Sequence, residues 1–152
     1  MLKTCLDLIA WSEGTSTSPL TRNNGYDVIV SGIKGPSIFT DYSDHPFSHI
    51  LPVEVRPGLY STAAGRYQIL HGYFETYKHE LKLPDFSPAS QDAVAIQQIK
   101  ERRALSLIEA GNIQGAIEDC SNIWASFPGN SYGQGGKSMS ALLAQWEKLN
   151  GA

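Results

Sequence analysis

The stretch Leu2-Lys3-Thr4-Cys5-Leu6-Asp7-Leu8-Ile9-Ala10-Trp11-Ser12-Glu13-Gly14 decides how the rest of the chain is read. Leu2, Leu6, Ile9 and Glu13 recur at intervals of four, three and four, which sets them on one stripe of a helix. Gly14 supplies the stop, because glycine readily takes the left-handed conformation that closes a helix. Glu13 then stands in the last turn, on the apolar side and near the negative end of the helix dipole. Both that field and burial push a carboxyl pKa upward. Two readings stay open on this pattern alone. One is a solvated Glu at a fraying helix end; the other is an acid that keeps its proton near neutral pH and can give it away in a reaction.

Composition narrows the classes. The chain has 152 residues, enough for one domain with a real core. Hydrophobic residues make up 41% and charged residues 18%, a balance that excludes a disordered chain. The formal net charge of −3 argues against a nucleic-acid partner, which would call for a basic stripe. Cys5 and Cys120 are too few for a disulfide framework and read as small apolar packing residues. His45, His49, His71 and His79 are scattered without metal-ligand spacing, so neither a metal nor another cofactor is expected. Asp7 interrupts the apolar run Leu6–Trp11, which is not the pattern of a signal peptide. No run approaches the roughly 18 apolar residues of a bilayer span, so no membrane insertion is expected and the cytoplasm is the expected compartment.

Along the chain, residues 15–62 are rich in Ser, Thr, Gly, Pro, Asn and Asp, with apolar residues in short bursts. Tyr26–Val30 reads as a strand and Ile38–Tyr42 as a second, joined by Lys34–Ser37. Residues 45–60 hold Pro46, Pro52 and Pro57 and read as loop with at most one short strand. From Gly65 the pattern turns helical: positions 66, 70, 73, 74, 77 and 81 share a face, up to Pro84. Ser87-Pro88 opens another helix, to about Arg103. Short helices are expected around Leu105–Ile108, closed by Gly111, and around Ile113–Cys120. A last helix, capped by Ser138 or Ser140, carries Leu142, Leu143 and Trp146. One helix, a β-rich stretch of about 15–62 and then several helices make an α+β protein. A helical lobe and a small β lobe would leave a cleft near Glu13.

Further candidates lie at the lobe junction. In Ser61–Gln68, small residues let a ligand approach the backbone, and an entering helix would offer free N–H groups and the Thr62 hydroxyl. Tyr67 and Gln68 add an aromatic face and an amide, surfaces that suit sugars. An ordinary loop-to-helix entry explains the same residues. In the segment Asn122–Gln134, Trp124 reads as core and Tyr132, in a Gly-rich loop, as a ligand contact. Asp27, Asp41 and Asp44 are the available second carboxylates, with structural roles favoured by the strand pattern.

Taken together, Trp11-Ser12-Glu13-Gly14-Thr15, Gly25–Val30, Phe39–Pro46, Ala64–Gln68, Phe86–Pro88, Gln91–Ala95, Gln97–Arg102 and Cys120–Ser126 resemble, in the same order and over nearly the whole chain, the lambda-type bacteriophage endolysins. Ala63 departs from that pattern, which has Gly there, and Ser31–Ser37 is richer in Gly and Pro. The resemblance implies a single lysozyme-like catalytic domain over 1–152, with a substrate groove between a helical and a β lobe. It implies a lytic transglycosylase that cuts the β-1,4 bond between N-acetylmuramic acid and N-acetylglucosamine in peptidoglycan. The catalytic Glu of the family's Trp-Ser-Glu-Gly motif falls on Glu13.

On that basis Glu13 would protonate the leaving oxygen and then take the proton of the muramic acid 6-hydroxyl, giving a 1,6-anhydro sugar. Thr62, Ala64, Tyr67, Gln68, Tyr132 and Asp27 are the expected substrate-binding residues. The alternatives are a hydrolytic muramidase that pairs Glu13 with an Asp, and an inert peptidoglycan-binding module. The expected partners are glycan strands and, through the resemblance and the missing export signal, a phage holin that opens the inner membrane to let the enzyme reach the wall. A monomer is the default expectation.

Overall fold

The computed structural model describes residues 1–129 and 136–151. Tyr132 and the rest of 130–135 therefore lie outside the described residues. By internal packing the chain divides into two compact units. One comprises Met1–Gly14 with Ala95–Ala152, and the other Thr15–Val94.

The first unit is helical. Helix α1 (Leu2–Glu13) packs on helices α4 (Leu105–Glu109) and α6 (Met139–Gly151), and α5 (Ile113–Cys120) packs on α4 and α6. Leu6 and Ile9 of the stripe are buried, and Leu8 beside it is buried too, while Leu2 is partly exposed. Ile99, Ile108, Ile117, Trp124, Leu142 and Trp146 are among this unit's other buried residues. Gly14 ends α1 with φ of 78°, and its N–H bonds the Trp11 carbonyl at 3.1 Å. Asn112 caps α5 by accepting the Gly115 N–H at 3.0 Å. Ser138, the first of the two expected caps, accepts the Ala141 N–H at the start of α6. Cys5 and Cys120 are free, buried thiols. No helix among the described residues is long and apolar enough to cross a membrane.

The second unit holds all the strands among the described residues. Its four-stranded sheet runs in the order β2-β1-β5-β6, with β1 Val28–Gly32, β2 Gly35–Ile38, β5 Ala63–Ala64 and β6 Ile69–Leu70. Strands β3 (Val53–Arg56) and β4 (Leu59–Ser61) form a separate antiparallel hairpin, where only one short strand was expected. A 3₁₀ turn, Pro46–Ser48, precedes it.

Three expectations are corrected here. The second strand lies at 35–38 rather than 38–42, because Ile33-Lys34 form a tight turn that pairs Gly32 with Gly35 and Val28 with Ile38. Pro36 is tolerated there because β2 is a sheet edge. The helical run from 65 is the second correction. Gly65 (φ 86°) and Gln68 (φ 51°) turn the chain back, so Ala63–Ala64 pair with Ile69–Leu70 and helix α2 begins only at His71, ending at Glu80. The strands thus continue past 62 to Leu70, and Thr62 does not open a helix. Third, of the face 66, 70, 73, 74, 77 and 81, Phe74 is the one buried member within α2, and Tyr73 is exposed. Helix α3 (Pro88–Glu101) begins where Ser87-Pro88 places it.

Candidate active site

Glu13 is the last residue of α1 and is partly buried. Withdrawal from water raises its pKa from 4.5 to about 7. Ser126 opposes that shift with two hydrogen bonds to the carboxylate, one from its side chain and one from its backbone. Ser12 donates its Oγ hydrogen to Ser126 Oγ at 2.7 Å. Trp11, two residues before Glu13, carries the Lys137 ammonium 5.1 Å from its ring centroid. A carboxylic acid with this pKa can donate a proton near neutrality and accept one back. Sequence reasoning quoted Ser126 without giving it a role. Nothing local marks it, since its proximity to Glu13 arises from a separation of 113 positions.

The other candidates belong to the second unit, and the structure divides them. Ala64 is fully buried in β5, and Tyr67 is 1% exposed. Tyr67 therefore offers no free ring face for a sugar, contrary to the expectation from its sequence position. Its hydroxyl donates to Asp92 Oδ1 at 2.6 Å and accepts from Arg66 Nη1 at 3.1 Å. Arg66 in turn stacks over the rings of Tyr26 and Tyr67, at 5.3 and 5.5 Å from their centroids. Tyr26 donates to the same Asp92 oxygen at 2.8 Å.

Asp27 is also buried, and its carboxylate is engaged. It accepts the Thr21 hydroxyl at 2.5 Å and the Arg22 N–H at 2.9 Å. These bonds close the turn ahead of β1, which is why that strand starts at Val28 rather than Tyr26. Asp27 thus holds its own loop and is not presented as a ligand contact. Gln68 and Thr62 are partly exposed. The Gln68 amide donates to the Gly65 carbonyl at 2.9 Å. Thr62 Oγ1 accepts the His71 N–H at 3.1 Å, supporting the first turn of α2.

The turn under Tyr67 and Gln68 is fixed by a buried amide. Gln91 Oε1 accepts the Arg66 N–H at 2.9 Å, while its Nε2 donates to the Phe86 and Tyr26 carbonyls. Gly65 sits so close that a Cβ there would lie 2.3 Å from Gln91 Oε1. Only glycine suits both this approach and the positive φ.

Helices and small antiparallel sheets in this arrangement give a lysozyme-like α+β fold, with Glu13 a carboxyl of raised pKa at the end of α1. The structure of bacteriophage lambda lysozyme complexed with a chitohexasaccharide superposes with a TM-score of 0.90, at 52% identity over 98% of this chain and 93% of that one. A second structure of lambda lysozyme gives 0.84 at 50% identity, covering 97% and 92%. Among curated proteins, the endolysin of Escherichia phage P2 is 56% identical over 149 residues, 96% of this chain and 90% of its own. The endolysin of Escherichia phage lambda is 53% identical over 150 residues, 98% and 90% respectively. The Endolysin family model matches residues 3–152, and the chain belongs to that family. Membership makes it a peptidoglycan-cleaving enzyme.

Proposed function

We propose that this endolysin is a lytic transglycosylase that cuts within glycan strands, at the β-1,4 bond from N-acetylmuramic acid to N-acetylglucosamine, with Glu13 as both acid and base. Glu13 gives its proton to the glycosidic oxygen as the bond from that oxygen to C1 breaks. The 6-hydroxyl oxygen of the same muramic acid then bonds to C1, and its proton passes to the Glu13 carboxylate. Atoms balance without water, and the product ends in a 1,6-anhydro ring. Attack from within one sugar gains from proximity, which contributes on the order of 7–11 kcal/mol in favourable cases.

The observation that carries this reading is the pairing of a raised Glu13 pKa with the engagement of Asp27. A two-carboxylate glycosidase needs a second group poised as base or nucleophile. Asp27, one of the available second carboxylates, is buried, and each of its oxygens accepts a hydrogen bond, from Thr21 and from Arg22. The chitohexasaccharide bound by lambda lysozyme supports a saccharide ligand here. Thr62 and Gln68 keep enough exposure to touch one. The chain works as a monomer and reaches the wall after a phage holin opens the inner membrane.

Mass spectrometry of digested cell wall tests the reaction. Anhydro ends, lighter by one water than reducing ends, are expected; reducing ends would make the enzyme a hydrolytic muramidase. Glu13→Gln should clear no cell-wall suspension, and clearance at the wild-type rate would remove Glu13 from the mechanism.

A further inference from the structure

Ser126 is pinned more firmly than a surface serine after a helical segment needs to be. Its carbonyl accepts the Lys137 N–H at 2.8 Å. Gly136 packs so tightly on its backbone that a Cβ at 136 would stand 2.5 Å from the Ser126 oxygen and 2.8 Å from its carbonyl carbon. Ser12, 5% exposed and adjacent to Glu13, donates its hydroxyl hydrogen to Ser126 Oγ. A hydroxyl owns one hydrogen. With Ser12 filling an acceptor position on Ser126, the Ser126 hydrogen is left for the Glu13 carboxylate, which also takes a backbone hydrogen bond from Ser126.

We propose that Ser126, its donor direction set by Ser12, is a positioning residue that aims the Glu13 carboxyl and holds its ionised form between giving up a proton and taking one back. The inference rests on the reading of Glu13 as acid and base. An acid used twice needs this support for a physical reason. Burial makes the proton easy to keep and hard to release, whereas two donors on the carboxylate lower the cost of the released state. Charged groups on the elements around α1 are engaged or exposed. Lys3 pairs with Asp7 at 3.5 Å, Lys137 lies over Trp11, and Glu109 of α4 with Glu147 and Lys148 of α6 are exposed. Among the described residues, Ser126 is therefore the neighbour placed to tune Glu13.

The test is the pH profile of kcat/KM for cell-wall clearing, with thermal melts as a check on folding. Ser126→Ala removes the side-chain donor, so the alkaline limb should move up by about one pH unit. Its kcat near neutrality should fall about tenfold, with KM little changed, as orientation is lost. Ser126→Thr keeps Oγ and should restore the limb. Ser12→Ala should shift it in the same direction by less. The double variant Ser12→Ala/Ser126→Ala should match Ser126→Ala, because Ser12 acts through Ser126. An unmoved limb in Ser126→Ala, or additive shifts in the double variant, overturns the proposal. Should Ser126→Ala melt too low to assay, the Ser12→Ala limb decides alone. Inactive Glu13→Gln beside an unmoved Ser126→Ala limb would sink this inference and leave the transglycosylase reading standing. Active Glu13→Gln would sink that reading itself.

Discussion

Tyr67 donates its hydroxyl hydrogen to Asp92 at 2.6 Å, and that bond fastens the turn at 65–68 to the first half of α3. Tyr26 converges on the same oxygen, and Arg66 caps the group through the Tyr67 hydroxyl and by stacking on both rings. A partly buried carboxylate thereby gains two donors, and a buried guanidinium gains an acceptor and two aromatic faces.

Tyr67→Phe keeps the ring and removes the centre of that group. Asp92 loses one donor and Arg66 loses one acceptor, so unfolding free energy in urea should fall by about 1–3 kcal/mol. Tyr26→Phe should cost less, since its ring is only partly buried. Equal losses in the two variants would show that the Tyr67 hydroxyl has no special place in the network.

Glu13 with a pKa of about 7 sets the direction of the activity profile. The acid must carry its proton at the start of each cycle, so kcat/KM should hold on the acid side and decline as pH rises through about 7. An activity that climbs steadily through that region would contradict a protonated Glu13 in the free enzyme.

The same group makes stability depend on pH. Its folded pKa is raised, so its favourable contribution is complete below 4.5 and is lost as pH rises to about 7. Glu13→Gln has no such loss. The variant should gain on the wild type across that window, by on the order of 3 kcal/mol at its alkaline end. Parallel stability curves for the two proteins would mean that the carboxyl is as well solvated folded as unfolded.

His45 has the opposite sign. The ring is fully buried among Phe47, His71, Phe74 and Phe86. Its Nδ1 accepts the Phe47 N–H at 3.2 Å, which leaves Nε2–H to donate to the Ile69 carbonyl at 2.8 Å. Burial is the main cause of a pKa lowered from 6.5 to about 4; the hydrogen bond to the Ile69 carbonyl opposes it most, His71 adds to the lowering, and Asp44 opposes it weakly. The contribution is therefore present above 6.5 and lost as pH falls to about 4, on the order of 3 kcal/mol in all. Measured in the Glu13→Gln background, where the acid makes no contribution, stability should drop through this window. His45→Gln should flatten that drop whatever its effect at neutral pH; an unchanged slope would assign the acid sensitivity to other groups.

Helices α1 and α3 to α6 were legible because their signals are local. The Leu6–Ile9 stripe, Gly14, Ser87-Pro88 and Gly111 each act within a turn or two, and each stands where the sequence placed it. The β strands were read less well. A strand of two residues such as Ala63–Ala64 has no periodicity, and it exists because Gly65 and Gln68 turn the chain back onto it. Of the candidate site, the sequence pattern placed Glu13 in the last turn of α1, where the structure has it. Burial of Tyr67 and commitment of Asp27 follow from Asp92, Thr21 and Arg22, partners whose positions the residue pattern does not announce. Ser126 was invisible for the same reason, since its bond to Glu13 joins segments far apart in the chain.

What raises the proton affinity of Glu13 is the exclusion of water, with Ser126 working against it and no charged side chain among the described residues contributing. Dissolved ions act by screening charges, and here they find little to screen. The pH at which this endolysin loses activity should accordingly stay put from dilute buffer to concentrated brine, even where salt alters how firmly the enzyme clings to an anionic wall.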